Sequence, residues 1–322
     1  MNNRNLKTSS LTEAAMMTGI LVIIAFVSQF LLSFLMFFYS MPAIILSKRK
    51  GLKYGTMSLI SAGLIISMLL GIQTGIMYLI LYTPLAIALS YGAVKDEDPY
   101  KTVIYGALIF IVSFAIIMLV MQSVMGVNYI QQMIKMYNES FNMSRELINK
   151  TGGNLNPAQY QQMIDNVNNM SASMNLMITQ MFPALLIAAG VVISFINYAA
   201  TCKIAKRFKI YLREITNFAF FSFPQSFAIA MAALLITSFL LKYLNLNVQA
   251  IQLNIIMICY MAIFVQGFAV LQFYLLKWNI SKTLRIVIII FAVFNPAISQ
   301  ILTIAGLIDL IVDLRKLRNR IV

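Results

Sequence analysis

The chain alternates long apolar runs with short polar segments, most of them basic. At least eight of the runs extend over roughly 15 to 28 residues with few or no charges. About 20 apolar residues suffice for a helix that crosses a bilayer. The pattern therefore predicts an all-α fold, a polytopic transmembrane helical bundle of about 8–10 helices. We expect helices near residues 12–28, 30–47, 55–72, 75–94, 101–125, 180–202, 221–241, 249–276, 285–297 and 299–314.

Two apolar stretches are too long for one crossing. The first runs from Leu11 to Ser47 with Gln29 near its middle, which indicates two short helices joined by a tight outer turn. The last runs from Arg285 to Leu314 and contains Asn295-Pro296 near its centre. Because proline disfavours helical backbone in the residue before it, we expect a break between two short passes at this point.

The composition supports a membrane protein. Hydrophobic residues make up 61% of the 322 residues, charged residues 11%, and the mean hydropathy is +0.84. So little polar surface cannot cover a water-soluble globule of this length. The lipid bilayer is therefore the expected surroundings of the chain.

The basic residues predict the orientation. Short cytoplasmic loops of membrane proteins accumulate lysine and arginine, and ten passes place 20 of the 24 such residues on one side. This arrangement predicts a multi-pass protein of a bacterial plasma membrane with both termini cytoplasmic. The net charge of +14 follows from this topology and from attraction to anionic lipid, so no nucleic-acid partner is expected. The residues left outside are Lys135, Arg145, Lys150 and Lys242.

The polar segment from about 126 to 180, between the fifth and sixth membrane helices, shows heptad spacing of apolar residues. It predicts an extracytoplasmic helical hairpin whose second arm begins at Asn156-Pro157. The apolar residues form one stripe along each arm. These stripes pack the two arms against each other or, alternatively, form a methionine-rich surface for a partner or an apolar ligand. They comprise Ile130, Ile134, Tyr137, Phe141 and Ile148 in the first arm, and Tyr160, Met163, Val167, Met170, Met174, Met177 and Met181 in the second.

A basic segment, Lys206 to Asn217, divides the chain. Its aromatic and aliphatic residues are spaced as in an interfacial amphipathic helix, which either lies flat as a connector or forms a coupling surface for a cytoplasmic partner. We therefore expect a six-helix membrane bundle with its outer hairpin over residues 1–205. Residues 206–322 would hold the interfacial helix and the C-terminal membrane helices.

Catalytic chemistry is scarce in the sequence. Histidine is absent, which excludes histidine-based triads and zinc-hydrolase patterns, and Cys202 and Cys259 have no neighbouring ligands. No paired carboxylates or activated nucleophile are visible, so we expect no enzymatic activity, no metal site and no cofactor. Asp309 and Asp313, near Arg315 and Lys316, predict capping and ion pairing at the end of the last helix.

Amides, hydroxyls and small residues are the remaining candidates for function. Gln29, Gln73 and Thr74 fall at outer turns and form a possible pocket for a neutral or amphipathic ligand. In the first helix, Ala15-x-x-x-Gly19 lies beside Ala14-x-x-x-Thr18. Small residues four positions apart allow another helix to approach closely, so Ala14, Ala15 and Gly19 are candidate partner-packing residues.

Three segments carry a resemblance to a known family. TEAAMMTGILVIIAF, YSMPAIILSKRKGLKYG and GLIDLIVDLRK resemble the YybS-like family of bacterial membrane proteins of unknown function. That family is distantly similar to the substrate-binding S components of energy-coupling-factor vitamin transporters. The resemblance implies that Ala15 and Gly19, with Ala14, correspond to the face that docks a membrane coupling protein driven by cytoplasmic ATPases. Glycine at 19 and the absence of a vitamin-binding motif depart from that pattern.

Two functions remain open. In the first, the chain is a transport-related component that binds or carries a small neutral or amphipathic molecule. Alternatively, it is a membrane scaffold or regulatory protein that organises cell-envelope partners through its outer hairpin and basic inner loops.

Overall fold

The computed structural model describes residues 3–126, 128–151, 156–240 and 248–317. All regular secondary structure within these ranges is helical, which confirms the all-α prediction. The chain forms two compact units. The first comprises the residues up to Ile178 together with Leu185–Ile215, and the second comprises Thr179–Ala184 and the residues from Thr216 onward.

The first unit combines long apolar helices with shorter helical turns and the two polar helices α7 and α8. They are α1 (Asn3–Phe30), a 3-10 helix (Ser33–Phe38), α2 (Met41–Lys50), α3 (Leu52–Leu70), α4 (Ile72–Met77), a π-helix (Tyr78–Tyr82), α5 (Thr83–Val94), α6 (Pro99–Met125), α7 (Tyr129–Thr151), α8 (Pro157–Gln180) and α9 (Phe182–Arg207).

The second unit contains four helices among its described residues, after a short 3-10 turn (Phe218–Phe220). They are α10 (Gln225–Leu240), α11 (Gln249–Lys277), α12 (Lys282–Phe294) and α13 (Pro296–Val312).

Six helices of the described chain are long and apolar enough to cross a membrane. Helix α10 is apolar but has 16 residues, and α12 and α13 form a pair bent by 98° that adds a seventh span if counted as one. The polytopic bundle is therefore confirmed. The six candidate spans are Thr8–Phe30, Leu52–Leu70, Ile72–Val94, Pro99–Val124, Phe182–Arg207 and Gln249–Lys277.

The second predicted crossing, residues 30–47, is not one helix. Its place is taken by the 3-10 helix and by α2, which has 10 residues. At 1.5 Å per residue α2 rises about 15 Å, roughly half of the hydrocarbon thickness. Because the tight 3-10 turn precedes it, Tyr39 and Ser40 enter the interior of the first unit, where both are fully buried.

Local sequence signals set several helix ends. The expected break at Asn295-Pro296 is confirmed: the Asn295 side chain accepts hydrogen bonds from the backbone N–H groups of Ala297 (3.1 Å) and Ile298 (3.3 Å). Asn156 caps α8 in the same way, at 3.2 Å from the nitrogen of Ala158. Gly51 and Gly71 end α2 and α3 with φ of +100° and +95° and ψ of 154°, a region that only glycine adopts readily.

The two arms of the predicted outer hairpin are both helical, as α7 and α8. In part of the predicted stripe, the more buried residues of α8 lie one position after the predicted ones. Met163, Met170 and Met177 of that stripe are exposed. Polar contacts join the arms, so apolar spacing alone did not identify the facing residues. The extracytoplasmic hairpin stays a prediction, and its turn at 152–155 lies outside the described residues. The contacts between the arms pair Asn138 with Asn175, Arg145 with Asn168, and Asn149 with Tyr160.

The predicted interfacial helix over Lys206–Asn217 is wrong. Helix α9 ends at Arg207, and Lys209 adopts a left-handed conformation (φ +57°) while the N–H of Ile210 returns to the carbonyl of Ala205 at 3.0 Å. The chain then continues without helix to residue 217. This path lets Leu212 reach the core of the first unit. The first compact unit accordingly extends to Ile215, whereas the expected boundary was at residue 205.

Candidate functional site

Three tyrosines form a buried cluster inside the first unit. The ring centroids of Tyr39 and Tyr78 are 4.7 Å apart, those of Tyr78 and Tyr82 are 5.2 Å apart, and those of Tyr39 and Tyr82 are 5.9 Å apart. Each tyrosine is at most 2% exposed. The hydroxyl of Tyr78 shares a hydrogen bond of 3.1 Å with that of Ser28. We call Ser28, Tyr39, Tyr78 and Tyr82 the tyrosine cluster.

The backbone departs from α-helical geometry on both sides of this cluster. Tyr39 directly follows the 3-10 helix, and Tyr78 and Tyr82 begin and end the π-helix. Single π-turns inside α-helices occur frequently at functional sites, because the extra residue redirects side chains. Non-α backbone at membrane depth is tolerated where it is buried in protein or lines a cavity. The local geometry therefore marks the tyrosine cluster as the candidate binding site.

Buried hydroxyl groups around the cluster lack partners within the described ranges. The side-chain oxygens of Tyr39, Ser40 and Thr83 are buried and make no hydrogen bond there. A buried polar atom without a partner costs about 1–3 kcal/mol, so it calls for an explanation such as a ligand or an ordered water. All groups of the site are neutral, and hydroxyls both donate and accept. The arrangement suits a neutral molecule with polar atoms and an apolar or aromatic body.

Asn197 on α9 holds the chain at the edge of the site. It is fully buried, and its Oδ1 accepts a hydrogen bond of 3.1 Å from the backbone N–H of Ser40. Its Nδ2 donates to the carbonyl of Ile193 at 3.0 Å. The amide of Asn197 therefore links α9 to the residue that precedes α2.

Replacing this amide should destabilise the protein. We expect Asn197→Leu to lower the free energy of unfolding by about 1–3 kcal/mol, because the N–H of Ser40 loses its acceptor inside the core. Thermal unfolding in detergent measures the change. Thr201→Val is the matched control, since Thr201 is equally buried but bonds only to the carbonyl of Asn197 in its own helix. Equal losses in both variants would contradict the assigned role.

The residues predicted to form a pocket are not gathered in this cluster. Gln29 and Gln73 are exposed and Thr74 is half-buried. Sequence reasoning missed the tyrosines, although the spacing of Tyr78 and Tyr82, four residues apart in an otherwise aliphatic span, was a usable signal. Tyr39 offered none, because its burial depends on the 3-10 turn before it.

The small-residue face of α1 divides into two. Ala14 and Thr18 are buried, and the hydroxyl of Thr18 lies 3.3 Å from the carbonyl oxygen of Ser58 on α3. Ala15 and Gly19 are exposed, and a side chain added at Gly19 would meet nothing within 4 Å. Ala14 therefore packs within the chain, whereas Ala15 and Gly19 lie on its outer surface.

The second unit contains a buried ion pair. Arg315 and Asp309 have side-chain exposures of 0% and 1%, and Nη2 of Arg315 lies 2.8 Å from Oδ2 of Asp309. Nη1 of Arg315 donates to the carbonyl of Ala219 at 2.7 Å. Gln266 on α11 donates to the same Asp309 oxygen at 2.7 Å and accepts from the N–H of Phe223 at 3.1 Å. We call this set the charge clasp.

The hydrogen bonds of the charge clasp connect the segment before α10, through Ala219 and Phe223, to α11 and α13. The predicted pairing of Asp309 with Arg315 is confirmed, but both groups are buried instead of lying at an exposed helix end. Asp313 serves as a cap, with its Oδ1 3.1 Å from the nitrogen of Leu317. Because the charged groups of Asp309 and Arg315 are paired with each other and bonded to neighbouring polar groups, the clasp has the arrangement of a structural ion pair.

Metal-ligating and thiol chemistry offer no second candidate. Across the described ranges, no group of three or more His, Cys, Asp or Glu side chains is placed to hold a metal ion. Cys202 and Cys259 are buried free thiols.

Comparisons with known proteins support the membrane assignment. A family model described as "Predicted membrane protein (DUF2232)" matches residues 16–310. The "Uncharacterized protein YybS" of Bacillus subtilis (strain 168) is 23% identical over 308 residues, covering 94% of this chain and 96% of that protein. No solved structure matches the chain significantly.

Proposed function

This chain belongs to the DUF2232 family of predicted membrane proteins, and from that premise we propose that it is a non-enzymatic, substrate-binding component of a membrane transport system. Its substrate is a small neutral or amphipathic molecule. The YybS-like family expected from the sequence is confirmed. The observation that carries the proposal is the tyrosine cluster, together with the buried hydroxyls of Tyr39, Ser40 and Thr83, which have no partner among the described residues.

The cluster has the features of a binding site within a membrane bundle. Substrate sites of transporters are typically formed where helices are broken and polar atoms face the interior. Here the 3-10 helix and the π-helix bring Tyr39, Tyr78 and Tyr82 together. Aromatic rings supply apolar contact and the hydroxyls fix orientation, which is the usual division of labour in small-molecule sites. The absence of charge among these side chains favours a neutral ligand.

The exposed Ala15 and Gly19 support the second part of the proposal, a membrane partner. In lipid, helices associate through close packing at small residues, because burial of apolar surface supplies no driving force there. A partner helix on α1 would couple the binding component to an energy source, as the resemblance to S components implies. The proposed partner is a membrane coupling protein with cytoplasmic ATPases.

The ligand site is tested by what the purified protein retains. The full chain is purified in mild detergent, and the small molecules released by organic solvent are compared by untargeted mass spectrometry. We expect one neutral compound to be enriched, and Tyr39→Phe to reduce its retention about tenfold or more, because one hydroxyl contact is lost. The melting temperature of Tyr39→Phe should not fall, since that hydroxyl has no partner in the described structure.

Tyr198→Phe is the matched control. Tyr198 is 1% exposed, and its hydroxyl donates to the carbonyl of Arg213 at 2.9 Å. This variant should lose stability and keep the retained compound. If Tyr39→Phe binds as the wild type does, or if no compound is enriched, the ligand site is refuted.

The partner surface is tested by co-purification from the native membrane. An Ala15→Trp, Gly19→Trp double variant should lose a coupling protein and its ATPases, because two indole rings block close helix approach. Leu64→Trp with Met68→Trp is the control, since these exposed residues lie on α3 at the same spacing. Recovery of envelope proteins without ATPases, unaffected by either variant, would instead favour the scaffold function.

A further inference from the structure

An apolar groove of about 510 Å³ runs along α9 in the first unit. Phe38 and Phe195 form part of its walls, and Ala199 and Ala200 lie where larger side chains would fill it. Lys203 and Arg207, one helical turn apart, line the end of the groove nearest the C-terminus of α9. The groove is therefore lined by apolar side chains, with two cations at one end.

The two cations differ from their basic neighbours. Lys206 forms an ion pair with Glu214, at 2.5 Å, and Arg213 lies 3.7 Å from Asp98. Among the described residues, no carboxylate lies within ion-pair distance of Lys203 or Arg207, and both are exposed. Lys206 and Arg213 are thus neutralised by carboxylates of the protein, whereas the two cations at the groove and the nearby Lys209 are not.

The dimensions match one leaflet of a bilayer. From Phe195 to Arg207 the helix rises about 18 Å, slightly more than half of the roughly 30 Å hydrocarbon core. An acyl chain lying along Ala199 and Ala200 would therefore bring its phosphate to the level of the two cations. Lysine and arginine at this end also fit the predicted cytoplasmic side, where anionic lipids attract basic clusters.

We propose that this groove binds an anionic glycerophospholipid, with an acyl chain against Phe38, Phe195, Ala199 and Ala200 and the head-group phosphate between Lys203 and Arg207. Charge complementarity selects the anionic lipid over a zwitterionic one. The apolar channel selects a lipid over a soluble phosphate. The site is separate from the tyrosine cluster and does not depend on the transport proposal.

Native mass spectrometry of the full chain tests the proposal. The protein, purified in a non-ionic detergent, is titrated with palmitoyl-oleoyl phosphatidylglycerol or with the matching phosphatidylcholine. We expect one phosphatidylglycerol to be retained preferentially, and Lys203→Gln with Arg207→Gln to weaken its binding by about 30-fold. Lys95→Gln with Lys101→Gln, which removes two other exposed charges, should leave binding unchanged.

A second pair of variants tests the channel with both cations intact. Ala199→Phe should fill the groove and abolish retention, whereas Val192→Phe, at an exposed position of α9 outside the groove, should not. Equal retention of both lipids would overturn the proposal. So would unchanged binding in either groove variant, or displacement of the lipid by millimolar inorganic phosphate as effective as displacement by phosphatidylglycerol.

Discussion

Arg315→Met is expected to lower the free energy of unfolding by about 3–5 kcal/mol, because it leaves Asp309 charged and buried without its cation. The guanidinium makes two contacts with Oδ2 of Asp309, at 2.8 and 3.1 Å, and one with the carbonyl of Ala219. Methionine fills similar space but satisfies neither group. The segment joined to α13 through Ala219 should therefore loosen along with the ion pair.

Denaturant titration and thermal unfolding in detergent measure this loss. Lys316→Met is the control, since Lys316 is the exposed neighbour of Arg315, and it should change stability by no more than about 0.5 kcal/mol. Adding Asp309→Asn to Arg315→Met should recover part of the stability, because the uncompensated charge is removed. A single variant as stable as the wild type, or a double variant less stable than the single one, would contradict the charge clasp as described.

Gly267→Ala is expected to have the second large effect, a loss of about 2–3 kcal/mol. In the second unit, α11 crosses α13 at two glycines, Gly267 and Gly306. A methyl group at Gly267 would overlap the carbonyl oxygen of Leu302, which belongs to the backbone of α13. Since a backbone atom cannot rotate away, the helices must separate along their whole contact. That separation would also strain the hydrogen bond from Gln266 to Asp309.

The same substitution at Gly19 provides the matched control. Gly19→Ala adds a methyl group within a helix where nothing lies within 4 Å, so the higher helix propensity of alanine should leave stability unchanged or raise it by up to about 1 kcal/mol. Thermal unfolding of both variants in one detergent gives the comparison. Similar melting temperatures for the two variants would contradict close packing at the α11–α13 crossing.

Much of the architecture could be predicted from local sequence patterns. Six long apolar helices, the helix break at Asn295-Pro296 and the cap at Asn156 follow from residues close to one another in sequence. Each of these features depends on backbone chemistry or on transfer into lipid. Such forces act on a segment whatever its distant neighbours are, and the pairing of Asp309 with Arg315 was equally local.

The candidate site could be predicted less well from the sequence. Gln29, Gln73 and Thr74 were proposed because they are polar residues in apolar surroundings, yet the first two are exposed and the third is half-buried. The tyrosine cluster instead combines Ser28 from α1, Tyr39 before α2 and two residues of the π-helix. Tyrosine is common in membrane helices, so its type alone does not predict which rings meet.

The sequence by itself determined the membrane class, the helical fold and the positions of most helix ends, because hydropathy and capping are properties of single segments. Only the tertiary structure decided which face of each segment is buried. It turned Ala14 inward and Ala15 outward on one helix, and it replaced the expected helix after Arg207 by non-helical chain so that Leu212 reaches the core. It also buried Arg315 beside Gln266. Such choices depend on contacts between distant segments, whose free energies exceed the local preferences that a sequence pattern records.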